Sequence, residues 1–367
     1  MKNLDSTVKS LRAIGRELGL TLHEQVRRHL RTLLENNFAD GERFFSEREL
    51  IDQLKVSQPT VRRALADLAS EGLLDRGVGR GTFVRKSVRD RSIGIFVPKI
   101  DSFLQLATVS TLGNLCAEQD IGFHLYHLRP SRPIKEACEV LKRSPREERI
   151  LFNGTTTDDT WNLYHELEKR GYRSLYIGST EGYPGNSVST DHQLGAELAV
   201  SHLTSLGHEH IAFIVNEPLS LQSIAIRLNT IRQIVERDKL KHVTIHDCKT
   251  PAWGDSFAAA YDKMEEVLAL SPRPTAICPL SGAGCWAALR YLNKIGIAVP
   301  DEISLFAFDD SPFSQQIYPS LTSLSTSPES EQICLSVLWG DQPGVQKALV
   351  RPQLIAREST GPARPAL

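Results

Sequence analysis

Residues 46–84 read SERELIDQLKVSQPTVRRALADLASEGLLDRGVGRGTFV, and this stretch decides the fold of the N-terminal part of the chain. Ser46 with Glu49 three residues later writes a capping box, which opens a short helix carrying Leu50, Ile51 and Leu54 toward a core. Lys55 and Val56 form a turn that ends at Ser57, a second N-cap candidate. The next helix has Pro59 in its first turn, where the missing N–H costs nothing, and its apolar Val61, Leu65 and Leu68 fall at i, i+4 and i+7. Its other face shows Gln58, Thr60, Arg62 and Arg63, side chains that reach base edges or phosphates when a helix N-terminus enters a major groove. After Gly72 the period changes. Leu73–Leu74 and Thr82–Phe83–Val84 predict two short strands around Arg76-Gly77-Val78-Gly79-Arg80-Gly81, a wing whose glycines let the backbone turn tightly against a sugar-phosphate rail. Arg76 and Arg80 bring charge for phosphates or a narrow minor groove. The pattern as a whole predicts a winged helix-turn-helix that reads double-stranded DNA.

Working outward, the stretch from about Leu22 to Lys86 resembles the DNA-binding domain of the GntR family of bacterial transcription regulators. The resemblance rests on an entry helix (LHEQVRRHLRTLLE), the G-x-x-x-x-S-E-R-E-L segment, V-S-x-x-T-V-R-x-A-L-x-x-L-x-x-E-G-L-L, and G-x-G-T-F-V. It implies that Ser46, Arg48, Ser57, Gln58, Thr60, Arg62, Arg63, Gly79 and Arg80 form the DNA-facing set, with Arg48 acting from the start of the first helix of the motif. Two positions depart from the family pattern. Phe45 stands where proline is usual, and Gln58 where an arginine usually opens the recognition helix; glutamine favours an adenine-type contact over guanine, so a different operator is expected.

The 367 residues suit two to three domains, each able to bury a core, and 41% hydrophobic with 24% charged residues is ordinary for a soluble globular chain. Charge is unevenly placed: residues 1–90 hold 17 Lys and Arg against 13 Asp and Glu, and the remainder 26 against 31. A basic head on an acidic body is the asymmetry expected of a DNA-binding regulator. The six cysteines include no C-x-x-C pair and read as reduced, buried small hydrophobes. An apolar leader and a membrane-length apolar run are both missing from the sequence, so a cytoplasmic protein without membrane contact is expected. The expected boundaries are an N-terminal extension at 1–20, the winged helix-turn-helix at 21–86, a linker at 87–91 inside the polar run RKSVRDR, and a body at 92–367.

From Ser92 the pattern alternates β and α. Strand-like runs occur at 92–98, 122–128, 149–154, 174–178, 211–216, 243–248, 275–280 and 303–308, with amphipathic stretches such as Gln193–Leu206, Ser256–Leu270 and Gly282–Ile295 between them. Short apolar runs separated by helices predict parallel sheets covered on both faces. About eight such units exceed one comfortable sheet. The expected fold class is therefore α/β, a winged helix-turn-helix plus a two-lobed, doubly wound parallel-sheet body with a ligand cleft at the carboxyl ends of its strands. VSTDHQLGAELAVSHLTSLGHEHIAFI, RPTAICPL, LNKIGIAVPDEISLFAFDDSPF, YPSLTSLST and PQLIARES resemble the LacI/GalR-type regulators, whose fold is that of periplasmic sugar-binding proteins. A GntR-type head on a LacI-type body is the arabinose-repressor-like architecture. It implies a homodimer on a near-palindromic operator, controlled by a small carbohydrate-like effector.

By that resemblance Arg227 and Asp309 lie where an effector-contacting arginine and carboxylate stand, with Asp101, Phe103, Asp310 and Phe313 as secondary candidates. The plainer readings are a helix-surface charge for Arg227 and a helix N-cap for Asp309. Ser281-Gly282 replaces the family's Asn-Asp, which removes one carboxylate; Ser281 remains a candidate, and Trp286 or Trp253 could serve the pocket instead. Enzyme readings fare poorly. His202, His208 and His210 cluster around a helix end and the following strand, where the LacI-like pattern L-G-H-x-x-I implies a structural histidine; His124 and His127 point to opposite faces of a strand, and Gly77 to Gly81 lies in a hairpin instead of a dinucleotide-binding turn. No catalytic residue, metal or cofactor is expected. The alternative weighed is a GntR-type head fused to a catalytic, aminotransferase-like body or to one that binds no ligand.

Overall fold

A computed structural model describes residues 21–39, 41–71, 73–77, 81–84, 92–97, 103–127, 133–141, 149–153, 157–178, 182–340 and 344–364. The chain divides into two compact units, Met1–Arg91 and Ser92–Leu367. The expected extension at 1–20 and linker at 87–91 lie outside the described residues, as do Gly79, Arg80 and Asp101.

Among the described residues, the first unit has three helices and a hairpin. Helices α1 (Leu22–Asn37) and α2 (Glu47–Leu54) each open with a reciprocal capping box, Thr21 with Glu24 and Ser46 with Glu49. Lys55, in the left-handed region at φ 55°, ends α2 and returns its N–H to Ile51. Helix α3 (Gln58–Ser70) carries Pro59 in its first turn, and its Val61, Leu65 and Leu68 are fully buried with Leu30 and Leu50. Each such side chain contributes about 1.5–3 kcal/mol relative to exposure. One expectation needs correction: Ser57 precedes α3 but caps nothing with its side chain, because its hydroxyl pairs with the Thr60 hydroxyl at 2.8 Å. Strands β1 (Leu74–Gly77) and β2 (Gly81–Val84) pair antiparallel from Leu74 opposite Val84 to Gly77 opposite Gly81. Phe45 fits where proline was expected by joining an edge-on cluster with Phe38 and Phe44, at 5.5 and 5.4 Å between ring centroids.

The second unit has two six-stranded sheets. The first, in the order β13-β7-β6-β5-β3-β4, uses β3 (Ser92–Val97), β4 (Gly122–His127), β5 (Arg149–Asn153), β6 (Ser174–Ile177), β7 (Ser187–Thr190) and β13 (Lys347–Val350). The second, β14-β12-β11-β10-β8-β9, uses β8 (Ile211–Val215), β9 (Val243–Asp247), β10 (Ala276–Pro279), β11 (Ser304–Ala307), β12 (Thr322–Ser325) and β14 (Gln353–Ile355). All pairings are parallel except β12 with β14. Among the described residues, twelve strands stand where eight apolar runs were expected. Those missed include SVST (187–190) and TSLS (322–325), too polar to show a strand pattern although Val188, Thr322 and Ser323 are buried.

The chain passes between the sheets at 190–192, 325–329 and 350–353. At the first passage Asp191 caps α7 (His192–Ser205), which packs Ala196, Ala199 and Leu203 into the second lobe. At the second, α11 (Glu329–Trp339) returns to bury Cys334, Leu335 and Leu338 in the first lobe. The remaining helices of the body are α4 (Phe103–Glu118), α5 (Pro133–Leu141), α6 (Thr157–Lys169), α8 (Gln222–Arg237), α9 (Ser256–Leu268) and α10 (Gly282–Ile295). His208, a buried side chain, bonds Thr275, Ser304 and the Gly361 carbonyl and so ties three segments of the second lobe together.

Candidate functional site

In the first unit, the face of α3 opposite the core leaves Gln58, Arg62 and Arg63 exposed and Thr60 half-buried; Arg48 is exposed on α2 and Ser46 half-buried at its cap. Sequence reasoning missed Glu47. Its carboxylate accepts from Arg62 (Nε and Nη2, both 3.3 Å) and from Arg76 (Nη2, 2.6 Å). Partial burial raises the Glu47 carboxyl pKa, but the hydrogen bonds from the two arginines outweigh it and leave the group below its ordinary value. One anion thus holds a recognition-helix cation beside a wing cation. Exposed pairs of this kind contribute little to stability, so either arginine can exchange Glu47 for a phosphate or base at small cost.

In the second unit, a cavity of about 750 Å³ opens between the lobes. The passages between sheets, the carboxyl ends of β8, β10 and β11, and the N-termini of α7, α8, α10 and α11 line it. Arg227 comes from α8 and Asp309 from the end of β11, and both line this cavity. Arg227 is only 6% exposed, which rules out a helix-surface charge. Its Nη2 donates to Asp309 Oδ1 at 2.8 Å, its Nη1 to the Leu280 carbonyl at 2.6 Å, and its guanidinium lies 4.8 Å from the Phe308 ring centroid. Asp309 does not cap a helix of its own segment: its Oδ2 accepts from the N–H of Gly282, the first residue of α10, at 3.0 Å. The carboxylate therefore couples α8 to α10 and keeps lone pairs for further donors.

Ser281 is buried and accepts from Asn216 Nδ2 at 2.7 Å. Asn216 follows β8, has no exposed surface, and receives the Thr250 hydroxyl on its carbonyl. Gly284 permits this packing, since a Cβ there would stand 2.6 Å from Pro279 Cβ and 2.7 Å from the Asn216 amide. His192 also faces the cavity; burial first, then the Arg227 charge, push its imidazole down to about 3 against the opposing pull of Asp309, which leaves it neutral. Among the described residues, Arg227 Nε, His192 Nδ1, Gln222 Oε1 and Glu331 Oε2 all belong to cavity-lining side chains and are buried without a partner. Buried polar atoms are seldom left this way, and four on one cavity mark where a polar ligand would complete the set.

The other candidates divide. Trp253 and Trp286 line the cavity and offer flat apolar surface. Asp310 lines it too, but is held by Arg357 at 2.8 and 3.1 Å and by the Ser323 hydroxyl. Phe313 is 45% exposed and does not line it. Phe103 begins α4, and its side chain lies outside the described residues. Asn216, His192, Gln222, Gly284 and Glu331 went unnoticed in the sequence; the position of Asn216 at the carboxyl end of an apolar strand was the available signal.

Both units are similar to known proteins. Residues 22–84 match the gntR family of bacterial regulatory proteins, and residues 200–360 match the periplasmic binding protein-like domain. The arabinose metabolism transcriptional repressor of Geobacillus stearothermophilus is 25% identical over 345 residues, 89% of this chain and 94% of that protein. The lactose operon repressor of Escherichia coli (strain K12) is 26% identical over 192 residues, 52% of this chain and 51% of that one. Among solved structures, a LacI transcriptional regulator from a Rhodococcus species shares the fold with a TM-score of 0.64 at 24% identity, covering 74% of this chain and 99% of its own. A LacI family regulator from Enterococcus faecium with bound ribose shares it with a TM-score of 0.62 at 20% identity, covering 75% and 100%. The chain joins a DNA-binding head of the gntR family of bacterial regulators to a periplasmic-binding-protein-like body with the fold of the LacI regulators.

Proposed function

We propose that this chain is a cytoplasmic, non-enzymatic transcription repressor that binds a near-palindromic operator as a homodimer and answers to a small carbohydrate-like effector held between the lobes of its body. The head spans 21–86, the linker 87–91 and the body 92–367. The observation that carries this reading is the pairing of a gntR-type head with a cavity of about 750 Å³ that keeps buried donors and acceptors without partners. The likeness to the arabinose and lactose repressors, and to a regulator that holds ribose, supports it. In the head, Arg48, Gln58, Thr60, Arg62 and Arg63 face DNA, with Gly79 and Arg80 in the wing. In the body, Arg227 offers a fork of N–H groups, Asp309 accepts from hydroxyls, Ser281 adds a hydroxyl, and the two tryptophans cover C–H faces of a ring.

The test is a selection of duplexes from a random pool by the full chain, followed by a thermal-shift screen of a pentose, hexose and disaccharide panel. A selected two-fold-symmetric site and at least one stabilising sugar are the expected results. A protein that is monomeric in sedimentation on and off DNA, or that no carbohydrate stabilises, contradicts the reading.

A further inference from the structure

We propose that the ligand of the inter-lobe cavity carries a protonated amine, as an amino sugar does, and that Glu331 is the counter-charge that selects it. The proposal rests on the cavity being the effector site.

Glu331 is the third residue of α11, where a glutamate normally reaches back to accept the N–H of the capping residue. Here the capping residue is Pro328, which has no N–H to give. The carboxylate is deprived of its usual local use. The helix cannot turn it to solvent either: Glu331 is 5% exposed, with Cys334, Leu335 and Leu338 buried beyond it in the first lobe's core. It lines the cavity, and its Oε2 has no hydrogen-bond partner among the described residues. Burial pushes the carboxyl above its ordinary value, and hydrogen bonds from its own backbone and from Ser327 offset this only in part, so its anionic form is incompletely compensated where it stands.

The other charges of the cavity do not supply that compensation. Arg227 is the cation among the described lining residues, and it is bound to Asp309. Asp310 is satisfied by Arg357, Asp255 by the N–H groups of Phe257 and Ala258 at the start of α9, and Glu217, also on the lining, is a further acid and supplies no cation. His192 is neutral. What stays open is an anion on the first-lobe side of the cavity, flanked by the hydroxyl-bearing Ser327 and Ser330. A ligand hydroxyl would supply a donor but no charge. An ammonium supplies both, and charge-assisted hydrogen bonds are the stronger kind. A phosphorylated sugar would bring a second anion against the first. The hydroxyl-binding half of the cavity, Arg227 with Asp309 and Ser281 with Asn216, then suits the ring that carries the amine.

The test is calorimetric titration and thermal shift of the full chain with glucosamine, galactosamine and mannosamine, each beside its neutral parent sugar, its N-acetyl derivative and its 6-phosphate. At least one amine is expected to stabilise the protein and to bind about tenfold or more tighter than its neutral and N-acetylated counterparts. That preference should vanish in Glu331→Gln, which is close to isosteric and whose cooperative melting verifies its fold. A neutral or phosphorylated sugar that binds as tightly as the amine overturns the proposal while the effector reading stands. An amine preference retained in Glu331→Gln overturns the role of Glu331. If nothing in the panel binds, the proposal falls, and the effector reading falls with it only when the pentose, hexose and disaccharide screen is also blank.

Discussion

Arg227 and Asp309, 82 residues apart in sequence, meet at 2.8 Å between Nη2 and Oδ1, and the second oxygen of Asp309 takes the first N–H of α10. The pair is buried, so removing one partner strands the other's charge in a poorly solvated place. Asp309→Ala should destabilise the body by roughly 3 kcal/mol and abolish any ligand response. Equilibrium urea unfolding with and without ligand measures both effects. A change under about 0.5 kcal/mol would mean that the pair is solvated and does not organise the cavity.

The Glu47 bridge gives the head a separate prediction. Because Arg62 is held only by an exposed ion pair, Arg62→Ala should leave the stability of the head within about 1 kcal/mol of the parent. It should nevertheless weaken operator binding by about 1–3 kcal/mol if its guanidinium reads a base edge bidentately. Fluorescence anisotropy on one labelled duplex decides this, and equal affinities for parent and variant would place Arg62 on a solvated face.

His192 makes the body sensitive to acid. Its folded pKa of about 3 lies below the ordinary 6.5, so as pH falls below about 6.5 the unfolded chain takes up a proton that the folded chain refuses. Stability present above that pH is lost progressively on the way down, at no more than about 1.4 kcal/mol per pH unit for one proton. His202 and His208 act in the same direction through burial in the body, as His29 does in the head. Between pH 7 and pH 5, His192→Gln should therefore lose about 1–2 kcal/mol less than the parent in urea melts. Identical losses would show that His192 protonates freely in the folded state.

Gly284 tests the packing behind Ser281. A methyl group there would overlap Pro279 and the Asn216 amide, both of them buried and with little room to retreat. Gly284→Ala should cost roughly 1–3 kcal/mol and weaken ligand binding through the displaced Asn216–Ser281 bond. Differential scanning calorimetry of both proteins, with and without ligand, reads the two effects; an unchanged melting temperature would contradict the contact.

Local rules made the head legible. Ser46 with Glu49, Pro59, and the spacing of Val61, Leu65 and Leu68 all act within a turn or two of helix, and the folded unit uses each of them. In the body, strands that are apolar on both faces, such as Ile211–Val215, announced themselves by composition. Thr322–Ser325 did not, since its burial comes from the Ser359 hydroxyl and the Arg357 backbone, more than thirty residues away, which satisfy its polar atoms. The site shows the same limit. Family pattern pointed to Arg227 and Asp309, but the Arg357 partner that occupies Asp310, and the burial of Glu331 against the cavity, emerge only when distant segments are brought together.

The most direct test of a ligand-responsive repressor is the operator affinity of the full chain, measured by anisotropy on its selected duplex with and without the carbohydrate that most raises its melting temperature. The account predicts a change of about fivefold or more, with operator changing the affinity for that carbohydrate by the same factor, because coupling between two sites is reciprocal. A carbohydrate that binds the body while leaving operator affinity unchanged would contradict it.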